Sequence, residues 1–183
     1  MTAAPPRVMR MLEMPPVLAG QGFVFRPETE DDVPFLRRLY ISTRCDELAV
    51  VDWTDEQKIA FLESQFGFQR YHYYKYYPTT DFAVLEQRGT PAGRLYLERM
   101  PNTVTMIDIA LLPQWRGRGT GTALIEAALA EAAAAGQAVS IMVEKFNPAL
   151  RLYRRLGFYE TSDEGVHLAM EWRPVQRDDV NLS

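Results

Sequence analysis

The chain has 183 residues, of which 47% are hydrophobic, so it suits one domain with a sizeable core and does not favour a second full domain. Its 20 Lys and Arg are outnumbered by 24 Asp and Glu, and the net charge of -4 leaves no basic excess to recruit nucleic acid or an anionic bilayer. A single cysteine, Cys45, excludes an intrachain disulfide framework, and two histidines do not complete a zinc site with it. We therefore expect no bound metal and a reducing, cytoplasmic location.

The N-terminal residues 1–21 are predicted to form a flexible extension. Two arginines precede an apolar patch there, but Glu13, Pro15 and Pro16 interrupt the patch, so it lacks the continuous apolar region of a signal peptide. No run in the chain approaches the roughly 20 apolar residues that a membrane-spanning helix needs. A membrane is therefore not expected as a partner.

Residues 22–173 have the pattern of one folded domain. A short β-prone run at 23–26 is followed by an acidic segment that caps a first helix. A second helical pattern begins at Asp55 and weakens at Gly67, and an aromatic run at 71–77 comes after it. These patterns predict one strand and two helices before the centre of the chain.

After Asp81 the apolar residues alternate instead of following a helical period. Strands are predicted at 82–86, 95–97 and 104–112, with turns at 89–93 and 101–102. Connections this short join antiparallel neighbours, so the three strands predict a meander.

A strand, a helix and a strand follow one another in the next segment. The helix is predicted at 119–135, and the apolar strand at 138–143 is typical of one covered on both faces. This order implies a parallel pair of strands. Asn147 then caps another helix with Pro148 at its first position, followed by two final strands and a polar tail at 174–183.

The glycine-rich sequence QWRGRGTG at 114–121 lies at the turn from the meander to the alanine-rich helix. Free backbone N–H groups and the positive end of the helix dipole meet at such a turn, and anions bind there. Three glycines allow a ligand to approach the backbone closely, and Arg116 and Arg118 add charged donors around a phosphate. The pattern favours a diphosphate, against the alternative of a plain glycine-rich turn with solvated arginines.

The residues and spacing of this loop exclude two common kinds of phosphate-binding site. A nucleoside-triphosphate loop requires Gly-Lys followed by Ser or Thr, whereas Gly121 is followed by Thr122 and Ala123. A dinucleotide fingerprint has the spacing G-x-G-x-x-G within a parallel unit, whereas this loop reads G-x-G-x-G and follows an antiparallel meander.

Two segments together carry a resemblance to a known family. The loop at 114–121, after a strand that ends Leu-Leu-Pro, resembles the coenzyme A signature of the GNAT (Gcn5-related N-acetyltransferase) superfamily, and NPALRLYRRLGF at 147–158 is similar to that family's second motif. The resemblance covers residues 22–172. It implies an α/β GNAT fold, in which a mixed central sheet continues from an antiparallel meander into a parallel pair splayed by a bulge, with helices on its faces.

The resemblance also implies acetyl-CoA as co-substrate and a set of residues that contact it. The acyl chain is expected in the gap between the splayed strands, where the backbone N–H of Leu111 or Leu112 polarises the acetyl carbonyl. The residues expected to contact the cofactor are Ile109, Leu111, Leu112, Gln114, Arg116, Gly117, Arg118, Gly119, Thr120, Gly121, Thr122, Asn147, Leu150 and Tyr153.

Tyr153 lies where the family commonly places its general acid. A phenol with a reference pKa of about 10 is suited to returning a proton to a departing thiolate. Composition alone favours a core role for this side chain, on a stripe with Ala149, Leu152 and Leu156. Asn147 resembles the residue that binds the pantetheine arm, and helix capping explains it equally well.

The base that takes the proton of the amine has more than one candidate. Asp108 is the acidic residue within the apolar strand before the loop, where a carboxylate is costly unless it is paired or faces a wet cleft. An ion pair with Arg94 or Arg99 is the structural alternative for it. Glu144, at the end of the next strand, and a water molecule are the other candidates.

The expected reaction is direct transfer of the acetyl group to a primary amine of a small molecule or peptide in a ternary complex. The aromatic cluster from Phe66 to Tyr77 lies where the resemblance places the acceptor-facing segment, and its rings serve either as packing or as cation–π contacts for the amine. The alternative function is a non-catalytic sensor or scaffold that binds acyl-CoA. A homodimer is a possible assembly.

Overall fold

The computed structural model describes residues 9–48 and 51–175. The helices in this part are α1 (Pro16–Ala19), α2 (Val33–Arg44), α3 (Asp55–Tyr76), α4 (Thr120–Ala134) and α5 (Leu150–Arg155). The strands are β1 (Phe23–Pro27), β2 (Thr80–Gln87), β3 (Thr90–Arg99), β4 (Thr103–Leu111), β5 (Ala138–Glu144), β6 (Tyr159–Glu164) and β7 (His167–Trp172). Short 3-10 turns lie at Glu30–Asp32, Cys45–Leu48 and Pro113–Trp115.

The strands form one mixed sheet in the order β1-β2-β3-β4-β5-β7-β6. Neighbours in this sheet are antiparallel except for β4 and β5, which run parallel. The structure therefore confirms the predicted fold class, a meander that continues into a parallel pair across a helical connection.

A bulge in β4 separates it from β5. Tyr96 pairs with Asp108, but the next residue of β3, Leu97, pairs with Met106, so Ile107 is an extra residue in β4. The parallel ladder between β4 and β5 also ends at Met106. Beyond this point the two strands part, and a gap opens between them.

The bulge also changes which face of the sheet the β4 side chains occupy. Val104 and Met106 belong to the core under α4, and Ile109 packs against the same core. Because side chains alternate between faces and one residue is added at the bulge, Asp108 points to the opposite face. It meets α3 there, where it accepts a hydrogen bond from Tyr73.

Each face of the sheet has its own apolar layer. On one face α4 buries Leu124, Ile125 and Ala128 against the sheet, and each buried leucine or isoleucine contributes about 1.5–3 kcal/mol. On the other face α2 and α3 cover β2 to β4, with contacts that include Val84 and Ala110. The β5 strand was predicted to be covered on both faces, but Met142 is 56% exposed because α2 and α3 lie over the other half of the sheet.

The structure differs from the predicted flexible extension over residues 9–21. Leu12 is buried in the core under α4, and Leu18 of α1 is buried beside Phe23 and Leu85. Burial of apolar side chains accounts for this packing, which the interrupted apolar patch did not indicate. The remainder of the predicted extension, residues 1–8, and most of the predicted tail, residues 176–183, lie outside the described residues.

Helix α3 is longer than its apolar pattern predicts. It begins with a capping box, in which the Thr54 hydroxyl accepts from the Gln57 amide at 3.3 Å and the Gln57 side chain accepts from the Thr54 amide at 2.9 Å. It continues through Gly67, so most of the aromatic run at 71–77 is helical and not a separate segment. Packing of Leu62 and Phe66 with α2 outweighs the low helix propensity of one glycine.

Gly93 lies within β3, although the sequence places it at the end of a turn. The left-handed residues of that turn are Arg88 (φ 51) and Gly89 (φ 78), and Gly93 instead faces β4 at close range. A Cβ atom added to Gly93 would lie 2.3 Å from the carbonyl oxygen of Ala110. Glycine is required here because the two backbones approach each other closely.

Two glycine-to-alanine substitutions are expected to have opposite effects on stability. Gly93→Ala should lower the free energy of unfolding by about 2–3 kcal/mol, since a backbone oxygen cannot rotate away from the new methyl group. Gly67→Ala should raise it by about 0.5–1 kcal/mol, because its Cβ meets nothing within 4 Å and alanine favours the helix. Urea denaturation measures both changes, and wild-type stability in Gly93→Ala would contradict the close approach of β3 and β4.

Candidate active site

The loop between β4 and α4 has the geometry of an anion-binding turn. Gly117 (φ 69) and Gly119 (φ 81) adopt left-handed conformations, and Gly119 is the N-cap of α4. A Cβ atom added at either glycine meets nothing within 4 Å, so the space in front of the loop is open. The N–H groups of the first turn, at Thr120 to Thr122, have no acceptor within the helix and face an anion site at its positive end.

The two loop arginines have different roles. Arg116 donates from Nε to the Leu111 carbonyl at 2.6 Å and from Nη2 to the Ser42 hydroxyl at 2.9 Å, so its guanidinium joins the loop to β4 and to the end of α2. Arg118 is exposed and makes no ion pair or side-chain hydrogen bond with any described residue. Arg116 thus has protein partners at Nε and Nη2, whereas Arg118 is available to a ligand, and the role of both arginines at a phosphate stays a prediction.

The gap between β4 and β5 leaves part of the β4 backbone without a neighbouring strand. The Leu112 amide donates to the Ala92 carbonyl of β3 at 2.9 Å, so it points away from the gap. Backbone N–H groups alternate in direction along a strand, and the amides of Leu111 and Ile109 therefore point toward the gap. Of the two amides predicted to polarise a carbonyl, Leu112 is excluded by this bond and Leu111 faces the correct side.

Asp108 is held by two donors that share one of its oxygens. Arg94 Nη2 lies 2.6 Å from Oδ2, and the Tyr73 hydroxyl donates to the same oxygen at 2.9 Å. No described residue donates a hydrogen bond to Oδ1, and the side chain keeps 15% of its surface exposed. The predicted ion pair between Asp108 and Arg94 is therefore present. The other carboxylate oxygen, Oδ1, is free to contact a ligand.

Tyr153 of α5 belongs to the core on the α4 side of the sheet. It is buried, and its ring packs edge-on against Phe158 at 5.7 Å between centroids. Its hydroxyl makes no hydrogen bond within the described part of the chain. Burial first, and the negative charge of Asp108 second, raise the pKa of Tyr153 to about 12.

The other predicted residues of the β5 end have structural partners. Glu144 forms an ion pair with Arg44 of α2 at 2.6 Å through Oε1, and its side chain is 30% exposed, so it stays a second candidate base. Asn147 is exposed and its Oδ1 accepts from the Ala149 amide at 2.8 Å, in a turn that precedes α5. The helix begins at Leu150 and not at Pro148, so Asn147 stabilises the approach to the helix while Leu150 is buried in the core.

A buried polar cluster beside Asp108 was not predicted from the sequence. The Glu28 carboxylate accepts from Arg70 at 2.5 Å, from the Tyr74 hydroxyl at 2.6 Å and from the Tyr96 hydroxyl. The sequence indicated Glu28 only as part of an acidic helix cap. Adjacent tyrosines on α3, at 73 and 74, were the available signal, because two phenols in a half-buried helix need polar partners.

Rings of the aromatic run on α3 contact one another and the sheet, although Tyr71, Tyr74 and Tyr76 stay exposed. Tyr74 stacks on Phe82 at 4.7 Å, and His72 lies 4.7 Å from Tyr76, between ring centroids. Tyr73 is the ring that reaches the gap, with its hydroxyl on Asp108. Its pKa is raised well above the usual value by burial and by the Asp108 charge, so the phenol stays protonated and donates.

In the described part of the chain, no helix is both long and apolar enough to cross a bilayer. Among the same residues, no group of three or more His, Cys, Asp and Glu side chains is arranged to hold a metal ion.

The central part of the chain matches a known family model. Residues 78–160 match the family model described as acetyltransferase (GNAT) domain. This match spans the meander, the loop, α4, β5 and α5. No curated protein sequence matches the chain significantly.

Several solved structures share the fold at low sequence identity. One is the PaiA N-acetyltransferase from Thermoplasma acidophilum in complex with coenzyme A, with a TM-score of 0.63, 15% identity, and coverage of 82% of this chain and 98% of that one. Another is a histone acetyltransferase HPA2 and related acetyltransferase from Corynebacterium glutamicum, with a TM-score of 0.59, 21% identity, and coverage of 86% and 99%. A third is an acetyltransferase from Thermus thermophilus, with a TM-score of 0.58, 21% identity, and coverage of 84% and 97%.

Proposed function

We propose that the chain is a member of the GNAT superfamily of acetyltransferases, whose domain model matches residues 78–160, and that it transfers the acetyl group of acetyl-CoA to a primary amine of a small molecule or peptide. One observation carries the proposal. The gap at which β4 and β5 part lies next to a helix N-terminus with an open glycine loop. Asp108 and Tyr153 lie on opposite faces of the sheet, near enough for the Asp108 charge to raise the pKa of Tyr153. A diphosphate-bearing thioester fits this combination.

The residues of the loop fit the diphosphate of coenzyme A. The open space in front of Gly117 and Gly119 admits a phosphate that any side chain there would displace. The free N–H groups of the first turn of α4 and the guanidinium of Arg118 are donors for its oxygens. Arg116 contributes by holding the loop closed against Leu111 and Ser42.

The side chains and amides at the gap supply the remaining requirements of acyl transfer. Acetyl-CoA, when bound, supplies an activated acetyl group with a thiol as leaving group. The Leu111 amide faces the gap and stabilises negative charge on the acetyl oxygen. As the bond from nitrogen to carbon forms and the bond from carbon to sulfur breaks, Asp108 or a water accepts one proton from the amine, and Tyr153 donates one to the sulfur.

The proposal is tested by thiol release from acetyl-CoA in the presence of chemically distinct amines. A panel of 1,5-diaminopentane, tyramine, lysine and trialanine covers diamines, aromatic amines, amino acids and free peptide N-termini. We expect at least one amine to raise thiol release above the rate without amine, and mass spectrometry to find that amine heavier by one acetyl group. If coenzyme A raises the melting temperature of the protein but no amine raises thiol release, the chain would instead be a non-catalytic acyl-CoA-binding module.

A further inference from the structure

The orientation of Asp108 depends on a residue outside β4. The bulge at Ile107 turns Asp108 toward α3, and there its Oδ2 atom receives both Arg94 and the Tyr73 hydroxyl, at 2.6 Å and 2.9 Å. Both donors use the same oxygen, so the plane of the carboxylate is held and Oδ1 is left without a protein donor among the described residues. An oxygen held in this way has one direction in which to meet an amine at the gap.

Tyr73 is itself held in place from two sides. Its ring lies edge-on to Tyr96 of β3 at 5.9 Å and to Tyr77 at 6.4 Å between centroids. Arg94 is almost completely buried and lies over the Tyr96 ring at 5.0 Å, so the guanidinium that shares Oδ2 is equally confined. The hydroxyl of Tyr73 is therefore a directed donor and not a mobile one.

The neighbouring tyrosine of α3 makes the same type of hydrogen bond to a different carboxylate. Tyr74 donates to Glu28 at 2.6 Å, and Glu28 also receives Arg70. The two hydroxyls thus bind different carboxylates, and of the two only the Tyr73 hydroxyl contacts Asp108.

We propose that Tyr73 is a positioning residue for the acceptor amine, acting through Asp108. This inference rests on the proposed acetyl transfer. Tyr73 keeps Oδ2 of Asp108 occupied and Oδ1 directed at the gap, so the amine proton has a fixed acceptor while the nitrogen attacks. Through this hydrogen bond, helix α3 takes part in positioning the reactants. The sequence motifs that indicate the cofactor, at 114–121 and 147–158, both follow α3 in the chain.

The test compares Tyr73→Phe with Tyr74→Phe, using the best amine of the panel. Each substitution removes one hydroxyl and keeps the ring, so thermal unfolding should report similar losses of stability. We expect Tyr73→Phe to lower kcat about 10- to 100-fold with the KM for acetyl-CoA unchanged. Tyr74→Phe should change kcat less than twofold.

A double-mutant cycle separates positioning from a general structural effect. In an Asp108→Asn background, where the carboxylate that Tyr73 holds is already lost, Tyr73→Phe should have almost no further effect on kcat. Equal kcat values in the two tyrosine variants, or a full Tyr73→Phe effect in the Asp108→Asn background, would overturn the inference while acetyl transfer stands. A wild-type protein that acetylates none of the amines would overturn the proposed function and this inference with it.

Discussion

Gly119→Asp is expected to abolish binding of coenzyme A while the protein stays folded. Gly119 has φ 81 and caps α4 at the point where the proposed diphosphate would meet the N–H groups of the first turn. Aspartate adds both a side chain and a negative charge at this point, and repulsion of the diphosphate replaces its attraction to the helix end. Isothermal titration with coenzyme A measures the loss, which we expect to exceed about 100-fold in Kd, or about 2.7 kcal/mol.

Gly136→Asp is the matched control for this substitution. Gly136 also has a left-handed conformation, φ 66, and also has nothing within 4 Å of an added Cβ atom. It follows the other end of α4, so it reproduces the backbone strain without approaching the loop. Unchanged coenzyme A affinity in Gly119→Asp, or an equal loss in Gly136→Asp, would refute the assignment of the loop to the diphosphate.

Tyr153→Phe is expected to lower kcat by about 10²- to 10⁴-fold, the usual contribution of a positioned general acid. Its hydroxyl has no hydrogen-bond partner among the described residues, so removing it breaks no contact within the protein, and the ring still packs against Phe158. The melting temperature and the affinity for acetyl-CoA should therefore remain close to wild type. Turnover with the best amine, under saturation by both substrates, is the measurement, and an unchanged kcat would exclude Tyr153 as the acid.

The pH dependence of the wild-type rate gives a second check on Tyr153. Burial and the Asp108 charge raise the pKa of Tyr153 to about 12, so the phenol keeps its proton as the pH passes the usual tyrosine value of about 10. Thiol release should rise with pH until the acceptor amine is neutral and then stay level to about pH 11. A rate that falls near pH 9 in the wild type but not in Tyr153→Phe would contradict this protonation state.

Local features of the sequence were sufficient to predict much of the fold and the glycine-rich loop before α4. The meander follows from short turns and alternating apolar residues, and α4 follows from its apolar stripe and the glycines before it. The glycine loop is also local, because left-handed residues at a helix N-terminus depend on only a few neighbouring positions. Predictions from these local patterns did not depend on contacts between distant segments.

The predictions that differed from the structure depend on contacts between distant segments. The sequence predicts Arg116 and Arg118 as donors around a phosphate but does not show that Arg116 also binds Ser42, 74 residues away. Leu12 and Leu18 are buried by strands and helices that follow them in the chain. Gly67 lies within a helix because α2 packs on that helix, and Gly93 lies within a strand because β4 comes close to it.

The sequence alone therefore determined the fold class, the glycine-rich loop before α4, and the presence of an acidic residue in β4 and a tyrosine in α5. The tertiary structure alone decided how the acidic residue is oriented. A one-residue bulge at Ile107 reverses the face on which Asp108 lies, and Arg94 and Tyr73, from another strand and another helix, then hold one of its oxygens. A bulge depends on pairing with a neighbouring strand, and a shared donor pair depends on two further elements, so neither leaves a periodic pattern in the chain.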